Sequence, residues 1–179
     1  MLFTLRELID IIIMTAAVGF IFKDMFKEHG RFMQSAFWFA FAVTAPALIL
    51  HELAHKFVAL AFGLQATFHA HYTGLGLGIV LKLINFNFIF FIPGYVSIEG
   101  AASHLASALI AVAGPAFNLI LFIMAWVLLK QEKLTTRSFL LLQATKQINL
   151  FLFIFNMLPI PRLFDGWKFY EGIFHVLFG

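Results

Sequence analysis

Residues 49–57 read ILHELAHKF, and within them His51, Glu52 and His55 stand at the spacing of a metal-dependent hydrolase. Side chains four apart on a helix share a face, so the two imidazoles point the same way and can hold one Zn²⁺. Glu52 follows the first histidine and is placed to take a proton from a water on that ion, which is the physical content of His-Glu-x-x-His. Zinc lowers the pKa of such a water to about 7, so hydroxide becomes available at neutral pH. The chain has no cysteine. No thiolate, disulfide or Cys-based zinc site competes with this reading, and any metal is held by His, Asp or Glu.

A catalytic zinc commonly takes three protein ligands, and the search for the third leads to residues 155–169, FNMLPIPRLFDGWKF. Asp165 is the only carboxylate there. It follows a proline-rich segment and precedes Gly166, so a turn can aim it back into the protein. Its other reading is the N-cap of a short final helix. His69 and His71 alternate along a strand-like stretch and share a face. They are the alternative ligand source, although solvated or supporting histidines are the favoured reading. His29, His104 and His175 offer no ligand spacing with one another. Amide hydrolysis passes through a tetrahedral oxyanion, and Asn118 and Asn156 are candidates to donate to the substrate carbonyl or to fix its strand. The equal alternative for both is an interhelical hydrogen bond, worth about 0.6 kcal/mol in a membrane bundle.

The elements that must position these residues are set by an apolar chain. Of its 179 residues 62% are hydrophobic and 12% charged, with a mean hydropathy of +0.95, far from the soluble average of about 25% charged. This is the composition of a polytopic membrane protein. The net charge of +3 is spread along the chain, which excludes a nucleic-acid-binding face. Ionisable groups in a membrane helix cost about 2.5–3.5 kcal/mol each on insertion scales, so the His, Glu and Lys of the opening stretch need a function or a partner. Lys56 is expected to snorkel to the interface as an anchor.

The first candidate span is 5–22, whose Arg6, Glu7 and Asp10 argue against a cleaved leader and allow a start at the interface. A polar segment, 23–31, separates it from the motif-bearing helix, 35–62. Between 66 and 100 the glycines 74, 76 and 78 interrupt helical character, and INFNFIFFIPGYVSI (84–98) is rich in strand-forming residues around Pro93-Gly94. A hairpin or re-entrant element is expected here, packed on protein because a bare edge cannot face lipid. Residues 84–92 are its candidate edge for an extended substrate segment. A third helix over 104–129 contains Gly114-Pro115. A fourth, over 138–158, carries Gln143, Lys146, Gln147 and Asn149, a polar side expected to face the bundle or a water path. The tail after Asp165 is amphipathic and too short to cross. The expected fold is therefore mainly α, with about four transmembrane helices, a short membrane-associated β-hairpin or re-entrant element and a short C-terminal helix. It forms one domain over 1–179, with a core over 35–170 and the 5–22 helix added to it.

Three motifs in order, HELAH (51–55), GPAFN (114–118) and NMLPIPRLFDG (156–166), resemble those of the site-2 protease family of intramembrane zinc metalloproteases. The resemblance implies that His51, His55 and Asp165 bind one catalytic zinc, that Glu52 is the general base, and that Asn118 and Asn156 lie near the active site. It further implies an endopeptidase of regulated intramembrane proteolysis, cutting within or beside the transmembrane segment of another protein in the lipid bilayer. As a multi-pass protein of the cell membrane it would hold its catalytic centre toward the cytosol. No PDZ or CBS domain stands outside the core, which makes this a compact form. One departure from the family pattern is Arg162-Leu163-Phe164, which puts an extra residue before Asp165. Charge runs mildly against the implied orientation: Lys23, Lys27, Arg31, Lys130, Lys133 and Arg137 would lie on the far side, against Arg6, Lys56, Lys82, Arg162 and Lys168 on the cytosolic one. The rival readings are a non-proteolytic, chaperone-like relative that binds zinc, and a metal transporter using His51 and His55 in transit. Homo-oligomers and partner proteins are left open.

Overall fold

The computed structural model describes residues 2–28, 35–86, 92–161 and 163–179. His29, Arg31, Arg162 and most of the expected edge at 84–92 lie outside them. Six α-helices and two strands follow in the order α1 (Leu5–Phe22), α2 (Ala36–Ala61), β1 (Gln65–Ala70), α3 (Tyr72–Leu83), β2 (Gly94–Glu99), α4 (His104–Leu128), α5 (Thr136–Asn156) and α6 (Asp165–Phe178), with a 3-10 turn over Lys23–Phe26. Four of the helices begin where a hydroxyl residue precedes an apolar run. Thr4, Ser35, Ser103 and Thr135 each accept a backbone N–H of the first turn through the side chain, satisfying a donor that the helix leaves orphaned. At α1 the cap is reciprocal, since Glu7 accepts the Thr4 N–H at 2.8 Å.

Among the described residues three helices, α2, α4 and α5, are long and apolar enough to cross a membrane, one fewer than expected. The helix over Leu5–Phe22 forms, but its charges have a job inside the protein. Glu7 and Asp10 are each 1% exposed and turn toward β1. Glu7 Oε1 accepts the Phe68 N–H at 2.8 Å, and Asp10 Oδ2 accepts the Ala70 N–H at 3.2 Å. The outer edge of β1 is thus closed by carboxylates rather than by another strand. Lys56 corrects a second expectation: it is 2% exposed and pairs with Glu7, with its ammonium also 4.9 Å from the Phe3 ring centroid. It is a buried counter-ion and not an interfacial anchor.

The region between 66 and 100 does hold a sheet, although its layout differs from the one expected. β1 and β2 pair antiparallel, from Gln65 opposite Glu99 to Ala70 opposite Gly94. The glycines read as helix breakers lie within α3, between the strands. There His71 Nδ1 accepts the Gly74 N–H at 3.1 Å, and a side chain at Gly74 would collide with the Ile92 carbonyl. Ile84 and Asn85 form a turn after α3, with Asn85 at a φ of 53°. The strand begins only at Gly94.

Met14 and Val18 of α1 pack with Phe68, Ala70 and Leu75 under the sheet, while Phe39, Ala40 and Val43 of α2 pack with Phe26 and Ala144 at the other end of the bundle. Helix α4 lies against α2, α5 and α6. Its approach to α6 is close: a Cβ added at Gly172 would sit 2.8 Å from the Ala108 Cβ and 2.7 Å from the His104 carbonyl oxygen. Small residues at such a crossing let two backbones meet. Helix α6 therefore runs back along the first half of α4, and this carries its first residue, Asp165, toward the middle of that helix.

Candidate metal centre

His51 and His55 lie one turn apart on α2, both buried, and face α4. Their outer ring nitrogens are held differently. His51 Nδ1 donates to Asn118 Oδ1 at 2.6 Å, whereas His55 Nδ1 donates to the backbone carbonyl of Ile110 at 2.7 Å. Each acceptor demands a proton on Nδ1, so each imidazole keeps the Nε2 lone pair free. The two Nε2 atoms stand 3.1 Å apart, and Asp165 Oδ2 lies 3.1 Å from the first and 3.3 Å from the second.

Three lone pairs thus converge on a triangle with sides of 3.1–3.3 Å. Four ligands at about 2.0–2.1 Å from a tetrahedral zinc are separated by roughly 3.3 Å. The donor set fits the ion, and His51, His55 and Asp165 form the group among the described residues able to hold a metal. Gly114 completes the fit. A Cβ there would lie 2.6 Å from His51 Nε2 and closer still to His55 Nε2, so only glycine lets the two rings rest on the α4 backbone with their metal-facing nitrogens clear.

Asp165 reaches the histidines despite the extra residue before it. The chain is drawn back before Asp165, with the Leu163 and Phe164 N–H groups both closing on the Ile160 carbonyl at 3.3 and 3.4 Å. Gly166 then packs against the Met157 carbonyl, 2.5 Å from where a Cβ would stand. The N-cap position of α6 is Phe164, so the capping role considered for Asp165 does not apply. Glu52 sits beside His51 and carries no hydrogen bond among the described residues.

The asparagines divide. Asn118 is fully buried, and its amide nitrogen donates to the Ala47 carbonyl at 3.1 Å and to Asn149 Oδ1 at 2.8 Å. With its oxygen on His51, it has no donor left for a substrate carbonyl, so the oxyanion reading gives way to that of a supporting residue for the ligand. Asn156 donates to the Leu152 carbonyl one turn back, at 3.0 Å, and no hydrogen bond joins it to the centre among the described residues. His69 is engaged by Ser97 at 3.0 Å and His71 caps α3, so neither competes with Asp165. The His104 and His175 rings meet at a tilt, with centroids 4.6 Å apart. Sequence reasoning missed the Ile110 and Ala47 carbonyls, which carry no side-chain signal. It noted Asn149 only as part of a polar helix side.

Two histidines at i and i+4 on a helix, a glutamate beside the first and a carboxylate ligand from a distant element define the class of zinc metalloproteases. No family model and no solved structure matches the chain. The chain is 36% identical over 167 residues to the "Putative zinc metalloprotease MJ0611" of Methanocaldococcus jannaschii, an alignment that covers 93% of this chain and 84% of that protein. It belongs to that zinc metalloprotease family, and zinc is its metal.

Proposed function

We propose that the chain is an intramembrane endopeptidase of the site-2 protease type, which hydrolyses a peptide bond in or beside a transmembrane segment of another protein. The depth of the centre carries the reading. His51 lies ten residues before the end of α2 and Gly114 ten residues after the start of α4, about 15 Å along each helix at 1.5 Å per residue. Both helices are of membrane-crossing length, and 15 Å is half of a hydrocarbon core of about 30 Å.

In this reading His51, His55 and Asp165 hold the zinc and Glu52 is the base. Zinc bound there supplies Lewis acidity toward the scissile carbonyl and makes water acidic enough to ionise near pH 7. Glu52 accepts the proton of the attacking water as the C–O bond forms, then returns it to the leaving nitrogen as the C–N bond breaks. Asn118 and the Ile110 carbonyl keep both imidazoles in the ligating tautomer throughout.

A helix conceals its peptide bonds, so the substrate must be unwound and held extended. The edge offered for this is on β2. Since the Phe68 and Ala70 N–H groups turn toward α1, the antiparallel register turns the main chain of Val96 and Ile98, opposite Phe68 and Ala66, to the other side.

The test is cleavage of a model transmembrane substrate in detergent, with and without chelator, and with Glu52→Gln. The variant is expected to keep its zinc and lose about 10²–10⁴-fold in rate. Cleavage that survives both chelation and Glu52→Gln would overturn the mechanism, and a zinc-replete chain that cuts no membrane segment would favour the binding relative instead.

A further inference from the structure

We infer that Asn149, on α5, is a positioning residue for the metal ligand His51 and acts through Asn118. Two groups beside this pair cannot reverse their role. The Thr145 and Ala47 carbonyl oxygens only accept. Asn149 Nδ2 donates to Thr145 O at 2.8 Å, which commits its amide nitrogen there and turns its Oδ1 to Asn118. Asn118 then presents one amide atom to two acceptors, Ala47 O at 3.1 Å and Asn149 Oδ1 at 2.8 Å, and that atom must be the NH₂. Its oxygen is left for His51 Nδ1 at 2.6 Å. His51 must carry its proton on Nδ1, with the Nε2 lone pair facing His55 and Asp165.

Without Asn149, the Asn118 amide loses one of the two acceptors that define its orientation. A reversed Asn118 would present hydrogens to His51 Nδ1 and drive the ring proton to Nε2, where it blocks coordination. Both asparagines are fully buried, so bulk solvent does not replace a lost acceptor. His55 stands outside this relay, because its tautomer is set directly by the Ile110 carbonyl. It serves as an internal control: loosened packing would disturb both histidines, a broken relay only His51.

The inference rests on zinc at this centre but not on peptide cleavage, and its readouts are zinc affinity and histidine tautomers. Affinity is measured by competition with a chelator in detergent, and tautomers by ¹⁵N shifts of histidine side chains in the metal-free protein. Asn149→Leu is expected to weaken zinc binding about 10–100-fold and to mix the tautomers of His51 while leaving His55 on Nδ1–H. Asn149→Asp, as the neutral acid, donates its O–H to Thr145 O and keeps an acceptor for Asn118, and should restore both properties. In an Asn118→Leu background, Asn149→Leu should cost nothing further. Unchanged affinity with an unchanged His51 in Asn149→Leu would overturn the relay, as would equal disturbance of His55 or additive losses in the double variant. Should Asn149→Leu fail to fold, the unaltered protein decides: a His51 protonated on Nε2 refutes the relay and one protonated on Nδ1 meets it. An unaltered chain that takes up no zinc ends the metal assignment itself, a result distinct from any of these.

Discussion

At the scale of single residues, the centre is built by removing choices. One hydrogen bond to the Asn118 side chain, one to the Ile110 backbone carbonyl and a glycine leave three lone pairs 3.1–3.3 Å apart, and such a triangle needs a cation between its members. Gly114 is the most exacting position, since any side chain there enters the space of both Nε2 atoms. Gly114→Ala is expected to reduce bound zinc to about a tenth or less of wild type without unfolding the bundle, because the methyl stands where a zinc–nitrogen length of about 2.0–2.1 Å must be accommodated. Metal analysis of the purified variant beside its thermal unfolding checks this, and full zinc occupancy would show that the rings do not meet on Gly114. Asp165→Ala takes away a ligand but leaves the space open. Its zinc affinity should fall while the two histidines still bind weakly, and undiminished affinity would return His69 or His71 to consideration.

At the scale of elements, α1 is joined to the metal helix through charge. Lys56 directly follows His55, and Glu7 holds it together with the Phe68 N–H, so one carboxylate ties α1, α2 and β1. Removing one member of a buried pair costs about 3–5 kcal/mol, mostly because the other charge is stranded. Lys56→Met should destabilise by that order, and Glu7→Gln/Lys56→Met should recover much of it, because glutamine still accepts from Phe68 while no charge is left. Unfolding in a graded detergent series would read the difference, and a single variant as stable as wild type would mean that the pair carries no load. This element also marks how far sequence can be read. The bounds of α1, α2, α4 and α5 follow from apolar runs behind Thr4, Ser35, Ser103 and Thr135, which are local signals. Helix α3 does not, because Gly74 is tolerated for its close approach to Ile92 and His71, a tertiary contact with no local trace. His51, His55 and Asp165 were legible as chemistry, since their types and spacing are rare. The Ile110 carbonyl, the Asn118–Asn149 contact and the burial of Lys56 were not, because each depends on the register between helices distant in sequence.

At the scale of the whole molecule, helix directions fix which parts share a side. Lys56 near the end of α2 meets Glu7 near the start of α1, and His104 at the start of α4 meets His175 near the end of α6. The two-stranded sheet connects these ends, so the N-terminal cap, the sheet and the end of α6 form one side. The 3-10 turn after α1 and the α4–α5 connection form the other. Helix α4 has 25 residues, about 37 Å at 1.5 Å per residue, more than a hydrocarbon core of about 30 Å, so its two flanking segments should lie in different compartments if it crosses. The absence of cysteine makes this directly measurable. Single cysteines in place of Glu99, at the end of β2, and Glu132, after α4, are both exposed and distant from the metal centre. In sealed vesicles of one orientation, an impermeant thiol reagent added outside should label one and spare the other until the membrane is opened. Labelling of both from outside would refute the crossing, and with it the half-depth position of the zinc centre. With opposite labelling, the site-2 protease reading requires the Glu99 side to be the cytosolic one, against the excess of Lys and Arg in the segments flanking the other side.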